Sequence, residues 1–279
     1  MNLTSLQTFL TIVETGSLVR ASEQLHVTQS TVTARLKTLE DELGQQLLNR
    51  QKSGTTLTPA GTKLLRYARV MTGLWRQAKF ETALPEGFAA VCTFGCEAEL
   101  WHGPGRVFFE GVTETRSDMA VSVRQGSTVE LEAWLAEGRV DVVLAREVAA
   151  RNNQTIYTLP PENLRLYSDR PDTPIDSDPK YIFVDHEAEY RAQHDEAYHN
   201  AGVARIGFDN SFCALQHMLA HGGSAYLAEA LAEPYVNEGK LYESAGAPVF
   251  SRKINLIVND VAARNWDWFS PLMERLSTP

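Results

Sequence analysis

The sequence predicts a mixed α/β protein built from two unlike parts. Residues 1–79 carry ten basic and five acidic side chains, so the other 200 residues hold a net −14 within a total of −9. The first 43 residues set apolar side chains at helical spacing, whereas from about residue 88 short apolar runs alternate with helix-patterned segments. A chain of 279 residues also exceeds what one small core needs and suits about two or three domains.

In the basic part, segment 3–15 places Leu3, Leu6, Phe9, Leu10 and Val13 on one helical face, and Gly16 stops it. Ser17 offers an N-cap oxygen to a second helix over 18–25, which turns Leu18, Ala21 and Leu25 inward. His26 and Val27 make a turn, and Thr28 caps a third helix from Gln29 to Leu43, ended by Gly44. Val32, Leu36, Leu39 and Leu43 form its buried stripe. Gln29, Ser30, Thr31, Thr33 and Arg35 crowd the start of this helix, and Gln29, Ser30, Thr33 and Arg35 lie off the stripe. Two crossed helices joined by a three-residue turn make a helix-turn-helix, whose second helix enters a DNA major groove N-terminus first. Gln pairs the edge of adenine, Arg that of guanine, and Thr touches the thymine methyl.

The run "LLNRQKSGTTLT" reads as strand, turn at Ser53-Gly54, strand, and presents Arg50 and Lys52 near its tip as a wing that grips phosphate. Thr58 then caps a long helix with Pro59 at its first position. Leu64, Ala68, Met71, Trp75 and Ala78 recur in it at coiled-coil spacing, which predicts an arm paired with a second copy. A dimer would set two recognition helices on a palindromic site.

"SLVRASEQLHVTQSTVTARLKTLEDELGQQLLNRQKSGTTLTPAG" resembles the DNA-binding domain of LysR-type transcriptional regulators, with the likeness spanning about residues 3–80. The helix pair, wing and Thr-Pro-Ala-Gly entry to the linker helix come in the family's order. The resemblance implies an α/β fold with an N-terminal winged helix-turn-helix over 1–58 and a dimerising linker helix over 59–84. It further implies a two-subdomain, periplasmic-binding-protein-like effector domain over 88–279, with subdomain I at 88–160 and 250–279 and subdomain II at 161–249. It also implies double-stranded DNA and a small-molecule effector as partners, and a homodimer that pairs into a homotetramer. By resemblance, base reading falls on Gln29, Ser30, Thr33 and Arg35, and backbone contact on Thr31, Arg50 and Lys52. One departure is Ala34, where the family often has Arg; here Arg comes one residue later, about 100° further around the helix.

In the acidic part, "GFAAVCTF", "MAVSV", "VDVVLA", "LRLYS", "YIFVD", "ARIGFD" and "KINLIV" read as strands. "GSTVELEAWLAEG" and "SFCALQHMLAHGG" read as helices between them, and a closing helix runs over 262–276. This is βαβ order and predicts a mostly parallel sheet. Ligands in such folds bind outside the C-terminal ends of strands. Those ends are "GCEAE", "GST", "LAREV" and "DNS", so the effector-site candidates are Cys96, Glu97, Ser127, Thr128, Arg146, Asp209 and Asn210. Ser127, Thr128 and Asn210 also suit helix caps, Arg146 a surface ion pair, and Cys96 a small buried side chain. Glu97 would repel an organic acid and favour an amine or a neutral ligand. "HGPG", from residue 102, should break or kink the helix that follows.

The competing class is a ligand-binding protein or enzyme that uses the head only for assembly. No Gly-rich phosphate loop, nucleophile elbow or acid–base constellation supports catalysis, so no enzyme activity and no cofactor are expected. Cys92, Cys96 and Cys213 give neither a disulfide framework nor a zinc spacing. His194 and His199 lie five apart, not at the four-residue zinc spacing; His217 and His221 have that spacing but lack a third ligand. No apolar run nears the roughly 20 residues of a membrane span and no signal peptide opens the chain, so a cytoplasmic protein without membrane attachment is expected.

Overall fold

In a computed structural model of the chain the described residues are 2–51, 54–84, 86–149, 154–176, 178–199, 204–264 and 266–277. Helix α1 (Leu3–Thr15) starts where Asn2 accepts the Thr4 N–H and ends at Gly16, whose φ of 64° is left-handed. Helix α2 (Leu18–Gln24) is capped by Ser17 and α3 (Gln29–Leu43) by Thr28, whose hydroxyl accepts the Thr31 N–H at 3.2 Å. Leu6, Phe9, Ile12, Ala21, Val32, Leu36 and Leu39 close one core. Leu43 is exposed, contrary to the expected stripe: residues 41–46 all face solvent, so the last turn of α3 projects beyond what α1 and α2 cover.

Strands β1 (Leu48–Gln51) and β2 (Gly54–Leu57) form an antiparallel hairpin with Leu48 opposite Leu57. The Thr55 N–H donates to the Gly16 carbonyl at 2.9 Å and ties the hairpin to the helices. Lys52 and Ser53 lie outside the described residues. Thr58 accepts the Gly61 N–H at the start of α4 (Pro59–Thr82). The expected seam on α4 is divided. Leu64 and Ala68 pack into the head's own core, because the first turns of α4 lie on α1. Tyr67, Met71, Leu74 and Trp75 are the exposed apolar face.

The body opens with β3 (Ala90–Cys96), a short turn at Ala98–Leu100 and a wide turn at Trp101–Gly105 in which Gly103 leaves helical geometry. Gly103 and Pro104 thus delay the helix, which runs as α5 over Arg106–Thr115. Then follow β4 (Met119–Gln125), α6 (Thr128–Ala136), β5 (Val142–Ala145) and β6 (Gln154–Ser168). After them come β7 (Ile182–Val184), α7 (Ala188–Ala197), β8 (Ile206–Phe208) and α8 (Ser211–His221). The chain continues through β9 (Ser224–Ala228), α9 (Glu229–Asn237), β10 (Tyr242–Glu243) and β11 (Phe250–Asn259). The expected closing helix is two pieces, α10 (Asp260–Ala263) and α11 (Phe269–Ser277), with Trp266 and Trp268 packed on the core between them.

The main sheet runs β10-β6-β11-β5-β3-β4, with β9 also on β6; β3 is parallel to β4 and β5, while β11 is antiparallel to β5 and β6. Two strands therefore cross between two cores. Leu159 on β6 and Ile254, Leu256 and Val258 on β11 belong to the core of β3, β5, α5 and α11. Leu164 and Leu166 on β6 and Phe250 on β11 belong to the core of β7, β9, α8 and α9. Where β6 and β11 pass from one core to the other, Arg252 pairs Glu162 and Ile254 pairs Leu159, so Pro160 and Pro161 together oppose Lys253 in a bulge.

Candidate functional site

Two surfaces gather the candidates. On α3, Gln29 and Ser30 are exposed, and Thr31, Thr33 and Arg35 are half-buried beside them. The Ser30 and Thr31 hydroxyls each lie 2.8 Å from the Thr28 hydroxyl, so this end of the helix is knitted to its own cap. Gln29, Thr33 and Arg35 make no side-chain hydrogen bond or ion pair among the described residues. Behind them Val32, Leu36 and Leu39 are fully buried. Arg50 lies in β1, but its side chain, like Lys52 as a whole, is outside the described residues.

The second surface is a cleft of about 530 Å³ between the two cores of the body, lined by Glu97, Ala98, Glu99, Ser127, Thr128, Arg146, Glu187, Asp209 and Asn210 among others. Six of the seven residues expected there line it. Cys96 does not: it is the last residue of β3, fully buried, with its thiol 3.1 Å from the Glu97 carbonyl oxygen. The pleat of the strand turns Cys96 into the core and leaves Glu97 for the cleft.

Glu97 is itself largely enclosed. Its carboxyl accepts from Thr128 Oγ1 at 2.6 Å and from Arg146 Nε at 2.7 Å, with side-chain exposures of 5% for Glu97 and 10% for Arg146. Burial pulls the Arg146 guanidinium down, but Glu97 and Glu187 outweigh it and hold its pKa above the ordinary value. Arg146 Nη2 reaches Glu187 across the cleft at 2.8 Å. Ser127 caps α6 in a reciprocal box with Glu130, and Asn210 caps α8 by accepting the Cys213 N–H at 3.0 Å. Asp209 stays exposed at the cleft rim.

Residues 3–62 match the family model described as bacterial regulatory helix-turn-helix protein, lysR family. The chain is also 28% identical, over 241 residues and 82% of each chain, to the HTH-type transcriptional regulator HdfR of Yersinia pestis (strain Pestoides F). Residues 3–62 are thus a helix-turn-helix of the lysR type. The fold of the chain is that of full-length members of the family. It is similar to ArgP from Mycobacterium tuberculosis with a TM-score of 0.65 and 20% identity, over 98% of this chain and 96% of that one. It is similar to LysG from Corynebacterium glutamicum with bound effector Arg with a TM-score of 0.61 and 19% identity, over the whole of both chains.

Sequence reasoning missed the residues that hold the cleft from the other side. Glu99 accepts both the Ser211 N–H, at 2.8 Å, and the Ser211 hydroxyl. Arg252 donates to Glu162 and, at 3.1 Å, to His186 Nδ1, while His186 Nε2 donates to the Tyr226 carbonyl at 2.8 Å. That pattern fixes His186 as the neutral Nε2–H tautomer. Its pKa agrees: burial, then the charge of Arg252, lowers it to about 3. Burial raises Glu162, against the opposing pull of Arg252. These groups are far apart in sequence, and only the Glu97–Glu99 spacing gave a signal that could have found Glu99.

Other chemistry-bearing residues sit elsewhere. Burial pushes the Cys92 and Cys96 thiols well up, against the thiolate that reactive cysteines need. The His217 and His221 rings lie 4.7 Å apart, and among the described residues no three metal-ligating side chains gather. Among the same residues no helix is long and apolar enough to cross a membrane.

Proposed function

We propose that this LysR-type regulator reads a palindromic DNA site with Gln29, Ser30, Thr33 and Arg35. Thr31, Arg50 and Lys52 meet the backbone, and a small molecule bound in the cleft controls the protein. The observation that carries the reading is the division of α3: Val32, Leu36 and Leu39 are sealed in the head while Gln29, Thr33 and Arg35 carry polar atoms with no partner among the described residues. The exposed face of Tyr67, Met71, Leu74 and Trp75 on α4 supports a dimer, since apolar side chains clustered on one helix face gain from being covered. Two such dimers would make the tetramer. On this reading the chain divides into a head over 1–58, an arm over 59–84 and an effector domain over 88–279, which the order of elements supports.

The cleft residues Glu97, Ser127, Thr128, Arg146, Asp209 and Asn210 are proposed to surround the effector, as they line one cavity between two cores joined by two strands. LysG was solved with Arg bound, which supports an effector-controlled reading here. The protein acts in the cytoplasm, where its DNA is, and is not an enzyme. The test is mapping of the DNA occupied by the wild type and by Gln29→Ala in the native host. Palindromic sites lost in the variant support the reading; the same sites held equally by both overturn it.

A further inference from the structure

Helix α8 presents an anion seat to the cleft, and the chain fills that seat itself. Asn210 satisfies the Cys213 N–H, which leaves the buried Ser211 N–H and hydroxyl to another acceptor. Glu99, from the opposite side, accepts from both with its two carboxyl oxygens and is only 13% exposed. Donors of this kind at a helix start suit any carboxylate. Three further contacts hold the same closure: Arg146 to Glu187 at 2.8 Å, the His102 ring stacked on Phe212 at 5.4 Å, and Gly103 seated against Ala230.

What remains open is lined by the carboxyl groups of Glu97, Glu187 and Asp209, with Arg146 as its basic side chain. Arg146 is already bonded to Glu97 and Glu187, so the open space keeps an excess of negative charge.

We propose that Glu99 is a built-in ligand that sets effector specificity: it occupies the acid seat at α8, so the cleft rejects carboxylates and takes a small amine. This rests on the effector-cleft reading above. An external acid competes with a tethered one, whose effective concentration is on the order of millimolar or higher. Acids dissolved at lower concentration therefore lose to Glu99. An amine gains from the surrounding carboxyl groups.

Two titrations of the full chain, without DNA and at fixed ionic strength, test this. In the first, acetate is titrated by calorimetry into wild type, Glu99→Ala and Glu99→Ala/Ser211→Ala. Acetate should bind Glu99→Ala at least about tenfold more tightly than wild type, and the double variant should lose the gain. A folded Glu99→Ala that binds acetate no better than wild type overturns the proposal. Glu99→Gln, which keeps the side-chain bulk, covers the case in which Glu99→Ala does not fold: its acetate affinity should exceed that of wild type, and equality overturns the proposal.

In the second, glycinamide, alaninamide and argininamide are compared with the free amino acids by thermal shift. Wild type should be stabilised by at least one amide more than by its acid, and Glu99→Ala should narrow that difference; no preference for any amide overturns the ligand class. These results are read without DNA, so they stand apart from the DNA-binding reading, whose failure would show in the site map instead.

Discussion

Gly73 on α4 packs backbone to backbone on Gly138, at the turn after α6: a Cβ on Gly73 would stand 3.0 Å from the Gly138 Cα and 2.6 Å from the Glu137 carbonyl oxygen. The arm that carries the DNA-reading head is thereby seated directly on the body. A methyl group there forces the two apart. Gly73→Ala should destabilise the protein by about 1–3 kcal/mol, the usual cost of overpacking. A melting curve checks this, and an unchanged midpoint would mean the contact is slack.

Arg146 joins both walls of the cleft, since it is bonded to Glu97 on one side and Glu187 on the other. Removing it leaves Glu97 enclosed with the Thr128 hydroxyl as its remaining side-chain partner. Arg146→Met should cost about 3–5 kcal/mol, as expected when one partner of a buried pair is lost. Glu97→Gln keeps the volume and the Thr128 contact and should cost less. Urea midpoints of the two variants decide the order.

His186 makes stability depend on pH in a stated direction. Its folded pKa is lowered to about 3 from 6.5, so the unfolded chain binds this proton first as pH falls. The stabilisation is complete above pH 6.5 and is lost as pH falls toward 3. The slope from this group is at most about 1.4 kcal/mol per pH unit. His186→Gln keeps a donor for the Tyr226 carbonyl and cannot titrate, so its stability should fall less than that of wild type between pH 6.5 and pH 5. Urea denaturation across that interval measures the difference.

The exposed face of α4 predicts where subunits meet. Met71→Glu or Leu74→Glu sets a charge on that face, away from the Leu64 and Ala68 contacts with the head core. Sedimentation equilibrium should show a lighter species than wild type, with the melting midpoint of the monomeric fold little changed. A variant with wild-type mass would place the contact elsewhere.

The head was legible in its sequence because its signals are local. The caps Ser17 and Thr28, the stops Gly16 and Gly44 and the stripe Val32-Leu36-Leu39 each act within a few residues. The body was less so. Only "LRLYS" of the 15-residue strand β6 reads as a strand, because Pro160 and Pro161 argue against one until the bulge opposite Lys253 is seen. Helix α7 is mostly polar and α9 contains Pro234, so neither carries a strong helical pattern. On α4, heptad spacing alone does not say which copy covers Ala68, and here it is the head itself. Cys96 and Glu97 were one residue apart in the reading and are on opposite sides of the strand in the fold. Glu99 and Ser211 meet across 112 positions, and no local pattern encodes such a pair.

The start of α3 is proposed to read bases while its buried stripe only holds it in place. The direct measurement is equilibrium binding of the purified full chain to a fragment it occupies in its host, set against a scrambled fragment, over a salt series. Gln29→Ala should lower the preference for the true site by about tenfold, the loss of roughly 1–3 kcal/mol for one base pair of contacts, with the salt slope and the melting midpoint unchanged. An unaltered preference in Gln29→Ala, Thr33→Ala and Arg35→Ala alike would contradict the account.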